Sequence, residues 1–251
     1  MLKTEIQLHP DLITFSTQRG VPPFGSSYLS FNACHYVGDS PEHVADCRNE
    51  ICWHLSIDME QLVIPRQTHS DSVAIIDSIP FDTARLEGVD AIVTALPDVA
   101  LAINTADCVP VLLAVPEMGI IAVAHCGWRG VVNDLLPNTV KAICSLGALP
   151  YQIKVALGPA ICPDCFEVGE EVAACFADKF SSPSIILRSG YEKPHINLSV
   201  AIAEHLKMLG VDSAQITPSM ECTRCNPEKY FSARVHTINS GRILTLICRP
   251  S

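Results

Sequence analysis

The chain has 251 residues, 48% hydrophobic and 18% charged, with a formal net charge of -10. That length suits one large domain or two small ones and is enough to bury a substantial core, as in a compact soluble enzyme. The acidic balance, with no basic stripe anywhere, excludes a protein that grips nucleic-acid backbones through clustered Lys and Arg.

The start of the chain, Met1-Leu2-Lys3-Thr4-Glu5-Ile6-Gln7, has no basic stretch followed by an apolar one, so no signal peptide is expected and a cytoplasmic location is. The longest apolar runs, such as Val109 to Val115, are far too short to span a bilayer. The first third reads as short strands and turns, with Pro22-Pro23-Phe24-Gly25 as a break. Asp39-Ser40-Pro41 opens a helix to about Leu55: Ser40 can cap it, Pro41 suits the first helical position, and Val44, Cys47, Ile51 and Leu55 share one apolar face. Strands are predicted at residues 62–64, 73–76, 91–94 and 101–105. The β-branched runs 110–115 and 120–125, separated by Pro116-Glu117-Met118-Gly119, read as a hairpin whose second strand delivers His125. One helix is predicted after Gly130, from near Val131 to about Ser145, ended by Gly147, followed by a buried strand at 153–157. Helices at 169–180 and 199–209, the second capped near Asn197, precede late strands at 216–217 and 243–248. No repeat or linker divides the sequence. The pattern predicts an α+β fold, a mixed β-sheet core flanked by helices, as a single domain over residues 1–251.

Three residues lie where buried strands should end and side chains can project into a pocket: His69, Cys108 and His125. Two imidazoles and a thiolate are borderline-soft ligands that suit zinc, and three protein ligands leave one tetrahedral position open, the arrangement of a catalytic rather than a structural site. Against this, nine His and twelve Cys yield some triplets by chance, Cys is often a small buried hydrophobe, and the spacing matches no compact zinc signature. Two further words, Cys162-Pro163-Asp164-Cys165 and Cys222-Thr223-Arg224-Cys225, have the form of zinc-binding pairs. They stand about sixty residues apart, so ordinary reduced cysteines are the expectation.

The words around the three residues form an ordered series: Gln67-Thr68-His69-Ser70, Val89-Asp90-Ala91-Ile92-Val93-Thr94, Thr105-Ala106-Asp107-Cys108 and His125-Cys126-Gly127-Trp128-Arg129-Gly130. Leu157-Gly158-Pro159-Ala160-Ile161, Phe166-Glu167-Val168-Gly169, Cys222-Thr223-Arg224-Cys225-Asn226 and Phe231-Ser232-Ala233-Arg234 follow. Together with Phe31-Asn32 and Val37-Gly38-Asp39 upstream, the series resembles the YfiH family from about Asn32 to Arg242. That family carries two descriptions, polyphenol oxidases or laccases and purine nucleoside phosphorylases. The resemblance implies helices packed around a mixed β-sheet core and one zinc held by His69, Cys108 and His125. It further implies phosphorolysis of adenosine, inosine and methylthioadenosine to free base and ribose 1-phosphate, with adenosine deaminase activity. Cys126, where Ala is usual, and Ala233, where an aromatic is common, depart from the family pattern close to the site.

Zinc with an open position can lower the pKa of bound water to about 7, which suits attack on a purine ring carbon. Phosphorolysis also needs a cation for phosphate, and Arg48, Arg129 and Arg234 stand in motif words; for each, a surface salt bridge is the plain alternative. Arg129, just before a predicted helix, is expected to face the anion that approaches the metal. Asp107 is a candidate proton acceptor or a partner for a ligand His, and Asn32 and Gln67 are candidates for reading sugar or base, or for tying loops. The expected partners are thus purine nucleosides and phosphate, with no nucleic acid and no membrane, in a monomer or homodimer. Other readings stay open: Cys108 as a nucleophile activated by His125, a hydrolase that edits peptidoglycan precursors with the same residues, or a non-catalytic metal-binding protein. A multicopper laccase is rejected because its cluster needs paired His-x-His words and none of the nine His forms one; a single copper occupying the zinc site in vitro remains open.

Overall fold

Alternation along the apolar strands sorts this chain into four layers. The computed structural model describes residues 1–21, 28 and 31–251; the predicted break at residues 22–25 lies outside the described residues. In chain order the strands are β1 (Lys3–Glu5), β2 (Ile13–Thr17), β3 (Leu62–Val63), β4 (Val73–Ile76), β5 (Ala91–Thr94), β6 (Ala100–Thr105) and β7 (Val109–Val115). They continue as β8 (Ile120–Cys126), β9 (Lys154–Leu157), β10 (Ile186–Leu187), β11 (His195–Ile196), β12 (Ile216–Thr217) and β13 (Ile243–Cys248). The helices are α1 (Pro41–Leu55), α2 (Trp128–Val132), α3 (Leu135–Ser145), α4 (Glu170–Lys179), α5 (Leu198–Met208) and α6 (Ala233–His236).

One sheet has the order β1-β2-β13-β6-β3 and the other β12-β9-β7-β8-β5-β4, with β10 and β11 as a separate ribbon. Both large sheets are mixed: β3 runs parallel to β6, β4 to β5 and β12 to β9, while the central pairs are antiparallel. Successive strand side chains point to opposite faces. Leu101 and Ile103 of β6 therefore meet Leu112 and Ala114 of β7 and Ile121 and Val123 of β8 in a core between the sheets. Ala100 and Ala102 point the other way, with Leu244 and Leu246, onto Cys47, Ile51 and Leu55 of α1. On the far side, Val111, Leu113, Ala122 and Ala124 pack on Leu136, Val140 and Ile143 of α3, Phe176 of α4 and Ile202 and Leu206 of α5. The fold is α+β as expected, with its mixed core shared between two stacked sheets.

The local signals act as their chemistry dictates. The Ser40 side chain accepts from the His43 N–H at the start of α1, Pro41 stands in its first turn, and Ser56 ends it at φ 56. Asn197 caps α5 through the Val200 N–H. One expectation fails. The helix predicted after Gly130 to about Ser145 is two helices, broken at Asn133 and Asp134. Pro137 gives the reason: in a continuous helix its ring would clash with the Asn133 carbonyl and its missing N–H would leave that carbonyl unpaired. In the first turn of a new helix that N–H has no intrahelical partner to lose, so proline is tolerated there.

The β7–β8 hairpin sets up the site. It turns through Pro116–Met118 and Gly119, whose φ of 66 favours glycine. Its register pairs Val115 with Ile120 at the turn and Pro110 with His125 and Val109 with Cys126 at the open end. Cys108, one residue before Val109, is therefore brought to the same end as His125. The period of two puts His125 on the face of Ile121 and Val123, at the rim of the layer between the sheets.

Candidate metal centre and active-site cavity

Three chain segments converge at that rim. His69, in the loop between β3 and β4 at φ 61, places Nε2 3.7 Å from the Cys108 Sγ, and its ring lies 4.7 Å from the His125 ring, centre to centre. One ligand atom from each of the three residues falls within 4.8 Å of the others. Separations of this size fit a single metal ion.

Asp90 holds the ligands together. It directly precedes β5, and its fully buried side chain accepts from the backbone N–H groups of Thr68, His69 and Ser70 at 3.0, 3.1 and 2.8 Å. It also accepts from His125 Nδ1 at 2.7 Å, so one carboxylate fixes the loop that carries His69 and the ring of His125. With Nδ1 engaged, Nε2 of His125 is the nitrogen left for the metal side. Burial alone would raise the Asp90 carboxyl, but the hydrogen bond and charge of His125 and the loop amides hold it below its usual range. Burial also opposes ionisation of Cys108. The charge of His125 and hydrogen bonds from both imidazoles outweigh it and pull the thiol down to about 6. Burial likewise works against an imidazolium at His125, yet the Cys108 charge and the Asp90 hydrogen bond raise it to about 9. The thiolate that a soft cation needs is thus already favoured.

Gly127 completes the cradle. A Cβ there would lie 2.7 Å from His69 Cδ2 and 3.0 Å from Cys108 Sγ. Gly127→Ala is therefore expected to fold normally and to lower metal affinity about tenfold, because ligands tolerate displacements of only about 0.5 Å. A zinc competition titration measures this; wild-type affinity in the variant would mean that the two ligands yield without cost.

The group opens onto a cavity of about 640 Å³, lined among others by Tyr36, Gln67, Asn104, Asp107, Arg234 and Arg242. A groove of about 770 Å³ along residues 3–14 is larger, but neither of the metal-capable groups found among the described residues lies in it. The candidates from sequence divide unequally. Gln67 lines the cavity, with its amide engaged by Tyr36 Oη, Asn104 N–H and Asn104 O. Asp107 lines it at φ 91, accepting from the Thr223 hydroxyl at 2.7 Å and the Arg234 N–H at 2.9 Å. Its suggested role as partner to a ligand His falls to Asp90 instead, because both its carboxylate oxygens are turned to the 223–234 segment. Arg234 lines the cavity over the Phe166 ring and donates to the Glu167 carbonyl at 2.9 Å.

Three others lie outside it. Asn32 is fully buried, holds Cys34, Asp39 and the Arg242 N–H, and so ties loops together away from the cavity lining. Arg48 donates to the Ala33 carbonyl and contacts His35, bracing the same loop. Arg129 is exposed, off the cavity lining, with its guanidinium over the Trp128 ring at 4.4 Å. The expectation that it faces the metal fails because α2 starts at Trp128 and the next residue already points outward. Cys126 is also turned away, into the core against the helices, where burial pushes its thiol up.

Sequence reasoning passed over Asp90, Arg242 and Asn104. A lone carboxylate opening a fully buried apolar strand was the available signal for Asp90, and an amide inside Ala100–Thr105 was the signal for Asn104. Asn104 and Thr105 line the cavity, and the Asn104 amide and Thr105 hydroxyl are buried with no hydrogen-bond partner among the described residues. Such groups suit a polar ligand.

Residues 13–250 match the family described as multi-copper polyphenol oxidoreductase laccase. The chain belongs to that family. It is 44% identical over 243 residues to adenosine deaminase RL5 from an unknown prokaryotic organism, covering 94% of this chain and 93% of that one. It is 38% identical over 217 residues to purine nucleoside phosphorylase SCO2081 of Streptomyces coelicolor, covering 86% of each. The crystal structure of YlmD from Geobacillus stearothermophilus superposes with a TM-score of 0.88 at 25% identity, over 99% of this chain and 97% of that one. The YfiH resemblance read from the motifs therefore holds, and with it the fold class. No helix among the described residues is long and apolar enough to cross a membrane.

Proposed function

We propose that this chain is a zinc enzyme of purine nucleosides that performs phosphorolysis, deamination or both. The observation that carries the proposal is the opening of the His69–Cys108–His125 group onto a cavity that also presents two guanidinium groups, Arg234 and Arg242. A volume near 640 Å³ lies within the range of small-molecule sites. The relatives named adenosine deaminase and purine nucleoside phosphorylase support the same substrate class. Since groups from both large sheets line the site, residues 1–251 are proposed to act as one domain.

The donor set fits zinc, and the buried Asp90–His125 pair and the space above Gly127 fit a bound ion. Bound there by His69, Cys108 and His125, zinc would supply a Lewis acid beside the substrate. Copper can displace it in vitro, since copper outcompetes zinc for nitrogen and sulfur ligands. The remaining roles belong to the protein's own groups. Arg234 and Arg242 hold the phosphate oxygens, and the Asp107 carboxylate accepts a proton at the cavity wall.

Incubating zinc-loaded protein with adenosine, or with inosine plus phosphate, and separating the products by chromatography tests the reading. Free base or inosine above the buffer control is expected, and Ala at His69 or Cys108 should lower metal content and turnover together. Absence of both products from fully loaded protein sinks the nucleoside reading.

A second reading draws on the depressed Cys108 thiol beside His125: a metal-free cysteine nucleophile. The readings compete for one sulfur. Alkylation of Cys108 only after chelation favours the metal centre, and equal alkylation with and without chelator favours the nucleophile.

A further inference from the structure

A second cluster lies behind the cavity wall. The two C-x-x-C words, far apart in sequence, meet: one sulfur from each of Cys162, Cys165, Cys222 and Cys225 lies within 4.8 Å of the others. The expectation of ordinary reduced cysteines rested on the distance between the two words in sequence, and the backbone closes that distance in space. Ala160 and Cys222 form a parallel bridge, in which Ala160 N–H donates to the Glu221 carbonyl and Thr223 N–H donates to the Ala160 carbonyl. Each word then folds back on itself. The Cys165 N–H donates to the Cys162 carbonyl, and the Asn226 N–H to the Cys222 carbonyl. Two tight turns thus face each other, each offering two thiols.

From this arrangement we propose a closed, four-thiolate structural zinc site formed by Cys162, Cys165, Cys222 and Cys225. Around a tetrahedral ion with zinc–sulfur bonds of about 2.3 Å, neighbouring sulfurs sit about 3.8 Å apart. Cys165 and Cys225 are 3.5 Å apart, and no pair exceeds 4.8 Å. A single ion fits those distances; an iron–sulfur cluster would hold its cysteine sulfurs further apart. The hydrogen bonds also suit thiolate ligands: the backbone N–H groups of Cys162 and Cys225 donate to the Cys222 sulfur at 3.2 and 3.4 Å. All-sulfur tetrahedral sets select zinc or iron–sulfur chemistry, and with four protein ligands no open position remains for substrate.

The site would brace the cavity. Ile161, next to the first word, donates its N–H to the Asp107 carbonyl at 3.0 Å, and Thr223, inside the second, donates its hydroxyl to the Asp107 carboxylate at 2.7 Å. The ion would lock together the two segments that grip Asp107, one residue before Cys108. Its role is to position, not to react.

Full-length protein carrying His69→Ala and Cys108→Ala, which dismantles the first centre, is purified under reducing conditions and its metal measured. About one zinc per chain is expected to remain. Cobalt substitution should give the intense visible absorption of a tetrahedral thiolate site. Adding Cys225→Ser, at an exposed position that should not disturb packing, should remove both signals and lower Tm by about 5 °C or more. Two results would overturn the proposal: four freely reactive thiols with no retained metal, or an intact mass showing these cysteines joined as disulfides. Because the first centre is absent from the test protein, neither result bears on the nucleoside reading.

Discussion

Asp90→Asn is expected to weaken zinc binding at the His69–Cys108–His125 centre by about 10–100-fold and to lower nucleoside turnover with it. The carboxylate accepts four hydrogen bonds, three from the loop that carries His69 and one from His125 Nδ1. Asparagine keeps the volume and one acceptor oxygen, but its NH₂ faces groups that only donate. One or more of those bonds must break inside a site with no access to water, at about 1–3 kcal/mol for each buried group left unmet. The charge that favours the correct His125 tautomer is lost as well. Acid stability provides a separate readout. The Asp90 carboxyl is depressed on folding, so its contribution to stability is present above the unfolded value near 4 and fades as pH falls through the folded value. Metal-free Asp90→Asn should lack that part of the acid transition. Zinc affinity and an acid limb both indistinguishable from wild type would show that backbone geometry alone positions the ligands.

The route from sequence to site was open wherever a local rule decided the outcome. Short apolar, β-branched runs gave β4, β5, β12 and β13 at their observed ends, and Ser40-Pro41 marked the start of α1. The hairpin brought Cys108 and His125 together because its register follows from a short turn. His69 was harder: its approach depends on Asp90 gathering three amides across some twenty residues, which no local pattern encodes. The meeting of the two C-x-x-C words was hidden for the same reason, since a parallel bridge between residues 160 and 222 is a tertiary event. Pro137 shows the opposite case, a local signal present in the sequence and overridden there by the apolar periodicity around it. For the arginines the decisive quantity was direction. Arg129, the second residue of a short helix, lies over the Trp128 ring and off the cavity lining.

That difference in direction makes Arg234 the arginine to test. Arg234→Ala is expected to reduce phosphate-dependent nucleoside cleavage about tenfold or more, since a charge-assisted hydrogen bond contributes about 1.5–3 kcal/mol. The substitution removes the side chain beyond Cβ and leaves the backbone intact. The Arg234 backbone N–H that holds Asp107 stays in place, so the carboxylate should not move. Deamination, which needs no bound anion, should fall much less. Arg129→Ala should leave both reactions close to wild type, because its guanidinium lies outside the cavity, on the half-buried Trp128 ring. Measuring kcat/KM for inosine across a range of phosphate concentrations, and for adenosine without phosphate, separates the effects. A selective loss of phosphorolysis in Arg129→Ala would return the anion to the start of α2 and contradict the assignment made here. Equal loss of both reactions in Arg234→Ala would mean that its bond to the Glu167 carbonyl shapes the cavity wall. The anion would then fall to Arg242, whose guanidinium already holds the carbonyls of Ile238, Ser240 and Gly241 and is therefore fixed in place before any phosphate arrives.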